Sequence, residues 1–492
     1  MADDTASPPR THAISPDRRR IATNFLTLAS TSILGLLLTI VISVFVRRAL
    51  GPTAIGQVSW AMAAVAYLAV FVNPGLTTVG QRELAKEPGR GQSLLVLVLT
   101  LQTGFALLSY GVVIGIAALN LRGPGVDALL LIQGLTLFVT AWNTGWILQA
   151  HERMVASSIA TLAFSALQLP ALLLLVHTPD DIFLYAFLGL AFALPGVIFN
   201  LWYIKRLRLT NTLRLWPTLS GASRLLREAW PLALAQGAIV IYFNSGTIVL
   251  GFTDGDEAVG QYATAYRLMM VAAVVTASLW NAYFPAFART HDAPAQAKAL
   301  SREYLSLLAW MGMPIAALGW ALGRHVIELM YGAAFVASGP YFEWLCLSIA
   351  LTFLNYGLVS TLVPWGHSTL QFKIAAAGTV TNLGLIVILV PHYGVWGAIA
   401  ATLGTESVIF VVGLFVRRRF DIFWHPILPI VAAPVLCSAA VGLAIVALPS
   451  EFDRYWWVEL VAGAVLLAGC LCAFERRLVA HFVRGLLGRR RA

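Results

Sequence analysis

Fourteen apolar runs, each long enough to cross a hydrocarbon layer of about 30 Å, constrain this chain of 492 residues more than any other feature. They fall at 24–46, 58–79, 93–118, 128–149, 155–176, 182–204, 229–251, 262–287, 303–322, 341–363, 370–390, 394–416, 427–448 and 456–474. Inside a bilayer each run has to close its own backbone hydrogen bonds, so the spans are helices. They lack the alternation of membrane β-strands. Charged residues make up 11% of the chain against 59% hydrophobic, too few to cover a soluble protein of this length. The predicted fold class is all-α, a polytopic membrane protein of about 14 transmembrane helices.

Charge sets the orientation. With the N-terminus inside, 27 of the 33 Lys and Arg fall on inner segments, 5 on outer turns and 1, Arg267, within a span. That bias predicts cytoplasmic ends and an even number of crossings, and it accounts for the net charge of +10 without nucleic acid as a partner. Residues 1–20 are polar, with three prolines and Arg18-Arg19-Arg20, and read as a disordered cytoplasmic tail rather than a cleaved leader. Residues 205–228 carry six Lys and Arg and form a basic inner linker suited to anionic membrane lipids.

An internal echo divides the chain. AIGQVSWAMAAV (Ala54–Val65) returns 204 positions later as AVGQYATAYRLM (Ala258–Met269), each between two apolar runs. The pattern predicts a six-helix N-terminal lobe over 21–204, a six-helix C-terminal lobe over 229–416, and two further helices with a basic cytoplasmic tail over 417–492. Such duplication suits transporters whose bundles rock about a central site.

Residues that break the apolar pattern are the site candidates. Arg267 is expensive in hydrocarbon unless it faces a cavity, finds a partner or snorkels to the headgroups, and a cavity arginine suits a phosphate. Asn244, Asn281 and Asn24 are amides in spans that either join helices or line a substrate path. Asn73-Pro74-Gly75 frees backbone groups in span 2 and is expected to kink it, as a gate or as simple shape. Glu406, mid-span, either binds a coupling ion or locks packing. The four cysteines lie in apolar runs without metal-ligand spacing, and no phosphate-binding glycine loop is present, so no metal or cofactor is expected. No catalytic arrangement of carboxylates, His, Cys or Ser stands out, and the outer loops are short for an enzyme.

Four segments carry a resemblance: LGPTAIGQVSWAMA after span 1, NPGLTTVGQRELAKE at the end of span 2, ELMYGAAFVASGPYFEWL between spans 9 and 10, and TVTNLGLIVILVPHYGVWGAIAATLGTE across spans 11 and 12. In order and spacing the chain resembles the oligosaccharide/polysaccharide flippases of the multidrug/oligosaccharidyl-lipid/polysaccharide exporter superfamily. That resemblance implies two lobes forming a V and a terminal helix pair. It implies alternating-access movement of polyprenyl-pyrophosphate-linked oligosaccharides from the inner to the outer leaflet of the cell membrane during surface polysaccharide biosynthesis, with glycan polymerases or glycosyltransferases as partners. It also implies that Arg267 occupies a cavity-facing place and that Arg82 has inner-gate or structural duty. The first six spans hold no Lys or Arg well inside them, which departs from a lipid II flippase. The acid-poor N-terminal spans weaken a cation-coupled drug antiporter, the main alternative; an integral-membrane enzyme of glycan assembly is the other.

Overall fold

The computed structural model describes residues 16–210, 221–290, 293–422, 426–449 and 455–475. Among these the chain is helical throughout: α1 (Pro16–Val72), α2 (Leu76–Lys86), α3 (Gly91–Ala118), α4 (Pro124–Gly134), α5 (Thr136–Ala141), α6 (Gly145–Ala150), α7 (Met154–Leu175), α8 (Ile182–Arg206), α9 (Ala222–Thr253), α10 (Gly255–Arg289), α11 (Pro294–Tyr331), α12 (Ser338–Val359), α13 (Ser368–Arg419), α14 (Leu428–Val446) and α15 (Trp456–Phe474). Twelve stretches of the described residues are long and apolar enough to cross a membrane.

Two of these helices exceed any bilayer. The 57 residues of α1 would reach about 85 Å at 1.5 Å per residue. The backbone leaves helical geometry at Gly51 (φ 74°, ψ 174°), just before Pro52. A positive φ suits glycine, and proline disfavours helical geometry in the residue before it. The 52-residue α13 also breaks at a positive-φ glycine, Gly394 (φ 54°, ψ −132°), three residues after Pro391.

Several expected boundaries are corrected. Helix α1 begins at Pro16, so the last residues of the expected disordered tail are helical, while 1–15 lie outside the described residues. The expected linker is helical from Ala222, with 211–220 outside the described residues. The fourth span is three short helices, α4 to α6, rather than one. At Asn73-Pro74-Gly75 the chain does more than kink: α1 ends at Val72, and α2 starts after Gly75 at φ 88°.

Helix α1 packs on α3, α4 and α7, and α7 on α8. Further along, α11 packs on α12 and α14, and α13 on α9 and α12. The two groups meet where α1 lies against α9 and α10 and where α2 lies against α9. A continuous buried apolar core, including Ala61, Leu129, Phe287 and Phe353, runs through both. Large apolar side chains such as Leu108, Leu174, Val380 and Phe415 point outward, the arrangement expected where the solvent is lipid.

The two Gly-Gln stretches touch one another. A Cβ on Gly56 would overlap the carbonyl oxygen of Asp256, and a Cβ on Gly260 would overlap that of Pro52. Residues 52 and 56 thus meet 256 and 260 reciprocally, at the same offset of 204 that relates the motifs. Self-complementary contact of this kind is the mark of a two-fold relation. Only glycine lets two backbones come this close.

Candidate functional site

The glycine contact belongs to a closure at one end of the bundle. There Gln57 Nε2 donates to Asp256 Oδ2 at 3.0 Å, and the Trp60 indole donates to the Ile248 carbonyl at 3.2 Å. Arg122 pairs with Asp256 and lies over the Trp60 ring, 5.1 Å from its centroid. Arg48 donates to the Leu329 carbonyl, and to that of Met330 at 2.9 Å, covering carbonyls that the last turn of α11 leaves unpaired. Every one of these bonds joins the α1–α4 region to α9–α11.

The opposite end is held differently. Arg82 on α2 pairs with Glu228 on α9, and Arg224 Nη2 stands 3.5 Å from Glu83 Oε2. The side chains of Arg82 and Arg224 are 55% and 56% exposed, so each pair contributes only about 0–1 kcal/mol. Asn73 shapes the turn before α2: its Oδ1 accepts from the Thr77 backbone N–H at 3.3 Å. A Cβ on Gly75 would come 2.7 Å from Leu232 Cβ, another close approach between the two helix groups. Pro74 lines an apolar cleft of about 710 Å³ with Tyr67, Phe71, Trp230 and Val380.

Between these ends lies the cationic site. Arg267, exposed on α10, lines a pocket of about 230 Å³ with Thr39, Ser43 and Tyr331. Arg47 contacts two residues of the pocket wall, Ser43 and Tyr331. Its Nη1 donates to Ser43 Oγ at 2.5 Å, its Nε donates to Thr264 Oγ1 at 3.0 Å, and its guanidinium lies over Tyr331 at 5.4 Å. Arg47 is within electrostatic reach of Arg267. Among the described residues neither guanidinium has a carboxylate partner. Two cations left without a counter-charge favour an anion between them. Sequence reasoning missed Arg47, because its place at a span end reads as a headgroup contact.

The amides do not gather here. Asn244 on α9 donates to its own helix at the Val240 carbonyl, 2.9 Å. Asn281 is exposed about four turns beyond Arg267 on α10, and the Asn24 side chain lies outside the described residues.

Glu406 is buried on α13. Its Oε1 accepts from Tyr242 Oη at 2.6 Å and its Oε2 from Asn355 Nδ2 at 2.7 Å, while Asn355 Oδ1 is buried without a partner. One turn away in the same region Asn382 accepts from Ser245 at 3.2 Å and donates to Thr405 at 3.3 Å. Arg417 at the end of α13 is buried: it donates to Ser301 Oγ at 3.1 Å and Thr361 Oγ1 at 2.8 Å, fixing the end of that helix.

A third cavity, of about 770 Å³, opens among α1, α6, α7 and α8. Ser157, Thr161, Ser165 and Gln168 of α7 line it, at spacings that put them on one helical face. That stripe was readable in SSIATLAFSALQ and was overlooked, since single hydroxyls are common in spans.

A bundle with distinct closures at two ends and a cationic pocket between them defines a multi-pass cell-membrane transport protein. The family model described as polysaccharide biosynthesis protein matches residues 21–291, and the chain belongs to this family. Membership makes it a membrane transport protein of polysaccharide biosynthesis rather than an enzyme. A putative O-antigen transporter of Shigella dysenteriae is 25% identical over 375 residues, covering 74% of this chain and 91% of that protein. The fold is similar to that of the lipid II flippase MurJ in an inward closed conformation, with TM-score 0.69, 14% identity, and 93% and 100% of the two chains covered. An inward-facing multidrug resistance MATE family transporter of the MOP superfamily gives TM-score 0.63 at 16% identity, covering 81% of this chain and 98% of that one.

Proposed function

We propose that the protein carries polyprenyl-pyrophosphate-linked oligosaccharides from the inner to the outer leaflet by alternating access, for surface polysaccharide biosynthesis. In this reading α1 and α13 each cross twice, giving fourteen crossings with both ends cytoplasmic. The N-terminal lobe spans 21–204, the C-terminal lobe 229–416, and 417–492 adds the last helix pair. The Gly56–Gly260 closure is then the outer gate and the Arg82–Glu228 pair part of the inner one.

The observation that carries the proposal is Arg267 lining a pocket between α1 and α10, with Arg47 against the pocket residues Ser43 and Tyr331, and neither guanidinium paired with a carboxylate among the described residues. A pyrophosphate supplies the missing charge. It cannot cross hydrocarbon unaided, whereas its polyprenyl tail need never leave it. The name of the Shigella relative supports a glycan cargo. Glu406, held by Tyr242 and Asn355, is the ion-coupling residue of this scheme. Anionic lipids and glycan-assembly enzymes are the expected partners at the basic inner surface.

Binding tests the site. Purified protein is expected to bind polyprenyl pyrophosphate more tightly than polyprenol. Arg47→Ala or Arg267→Ala should weaken the pyrophosphate lipid about 10- to 100-fold, the range for a lost charge-assisted contact. Equal affinity for the two lipids, or variants that bind like the parent, would overturn the assignment.

A further inference from the structure

We infer that the cavity among α1, α6, α7 and α8 is a sugar subsite that receives uncharged, polyhydroxylated residues of the headgroup while the phosphates rest on Arg47 and Arg267; this rests on the flippase reading above. The lining is the first reason. Thr39, Asn143, Ser157, Thr161, Ser165 and Gln168 present hydroxyls and carboxamides, and among the described residues no charged side chain lines the cavity. Thr39 and Thr161 donate to carbonyls of their own helices at 2.8 and 2.9 Å, which leaves their oxygens to accept. Polar groups at bilayer depth are costly unless hydrogen-bonded, so a polar wall of this extent suits a polyol and not a lipid chain. Without a charged side chain it offers an acidic sugar no counter-ion. Its volume of about 770 Å³ sits within the ~300–1,000 Å³ of ligand sites.

The second reason is a broken helix. Between α5 and α6, residues 142–144 leave helical geometry, and Asn143 within the break lines the cavity. Interrupted spans at bilayer depth are tolerated where they line a polar cavity, and they form the binding sites of many transporters. Asn200 is buried at the same wall and accepts from Ser157 Oγ at 2.7 Å.

The third is position. Thr39 lines both this cavity and the Arg267 pocket, and Tyr185 of the cavity wall is within electrostatic reach of Arg47. A cationic pocket adjoining a neutral hydroxyl- and amide-lined one reproduces the order of a glycolipid headgroup, phosphate first and sugars after it. Selection among cargoes then falls largely to the N-terminal helices.

Gly196 on α8 allows a clean test. It lines the cavity, and nothing lies within 4 Å of a Cβ built there. Leucine in its place fills the space while improving helix propensity. The test measures headgroup movement in proteoliposomes for two probes: lipid-linked oligosaccharides extracted from the source cells, and polyprenyl pyrophosphate without sugar. Gly196→Leu should slow the oligosaccharide probe about tenfold or more, as expected when polar contacts are lost, and leave the bare pyrophosphate within about twofold. Gln168→Leu, which adds no bulk, should shift the same ratio in the same direction. Gly111→Leu on α3, also in open space, should change neither probe. Equal effects of Gly196→Leu on both probes, or none on either, would overturn the sugar subsite while leaving the flippase reading intact. A parent protein that moves neither probe would overturn both.

Discussion

Arg267 and Glu406 are two ionisable residues placed at bilayer depth, and the structure gives them opposite surroundings. Glu406 is enclosed, with both carboxylate oxygens bonded. Glu406→Ala strands the Tyr242 hydroxyl, leaves the Asn355 amide only its bond to the residue 406 carbonyl at 3.0 Å, and opens a void, a cost of about 2–4 kcal/mol. Glu406→Gln keeps the volume and should cost about 1 kcal/mol. Thermal unfolding of purified protein should therefore rank parent, Gln, Ala; an Ala variant as stable as the parent would contradict the packing role. If Glu406 also couples an ion, the Gln variant should still exchange cargo downhill while losing stimulation by an imposed gradient. Arg267 is open and, among the described residues, free of carboxylates, so its replacement should reduce binding and transport rather than stability. Arg267→Lys retains charge but not the planar fork, and should fall between parent and Arg267→Ala. Arg267 was visible in the sequence as the lone cation within a span. Arg47 was not, since Thr264 and Tyr331, its partners, lie more than 200 positions away.

Among the elements, α1 is governed by two glycines with different duties. Nothing lies within 4 Å of a Cβ on Gly51, so Gly51→Ala bears only the backbone cost of a conformation at φ 74°, ψ 174° that is nearly exclusive to glycine, about 1–3 kcal/mol. Gly56 has no such room. A side chain there drives α1 from α10 and should favour opening of the Gly-Gln end. The check is a Thr39→Cys reporter in a background without native cysteines. Gly56→Leu should speed its reaction with a membrane-impermeant thiol reagent added outside, and an unchanged rate would contradict the gate. The echo of AIGQ in AVGQ was legible as a repeat because it is a string match. That the two copies touch was not, because contact depends on how helices distant in sequence pack. The break between α5 and α6 was equally hidden. It is supported from outside the segment, by Trp142 donating to Thr103 Oγ1 at 3.1 Å, and within it by Asn143 Oδ1 accepting from the Gly145 N–H at 3.2 Å. By contrast α14 and α15 fall within a few residues of the apolar runs, since hydropathy alone sets where a span leaves lipid.

At the scale of the whole molecule, the two closures differ in kind. One is a glycine-to-glycine backbone contact surrounded by buried groups, and the other relies on exposed ion pairs that salt screens. The ion-paired end should therefore open first. Glu228→Ala should leave thermal stability nearly unchanged and raise cysteine accessibility from that side, and raised salt should do the same for the parent. Equal salt sensitivity of the two ends would contradict this asymmetry. The most direct test of the account is headgroup translocation in sealed proteoliposomes, using lipid-linked oligosaccharides extracted from the source cells and comparing the parent with Arg267→Ala. The account predicts movement that requires the protein and falls about tenfold or more when the guanidinium is removed. Movement unaffected by Arg267→Ala, or none by the parent while small cations or drugs are exchanged instead, would contradict it.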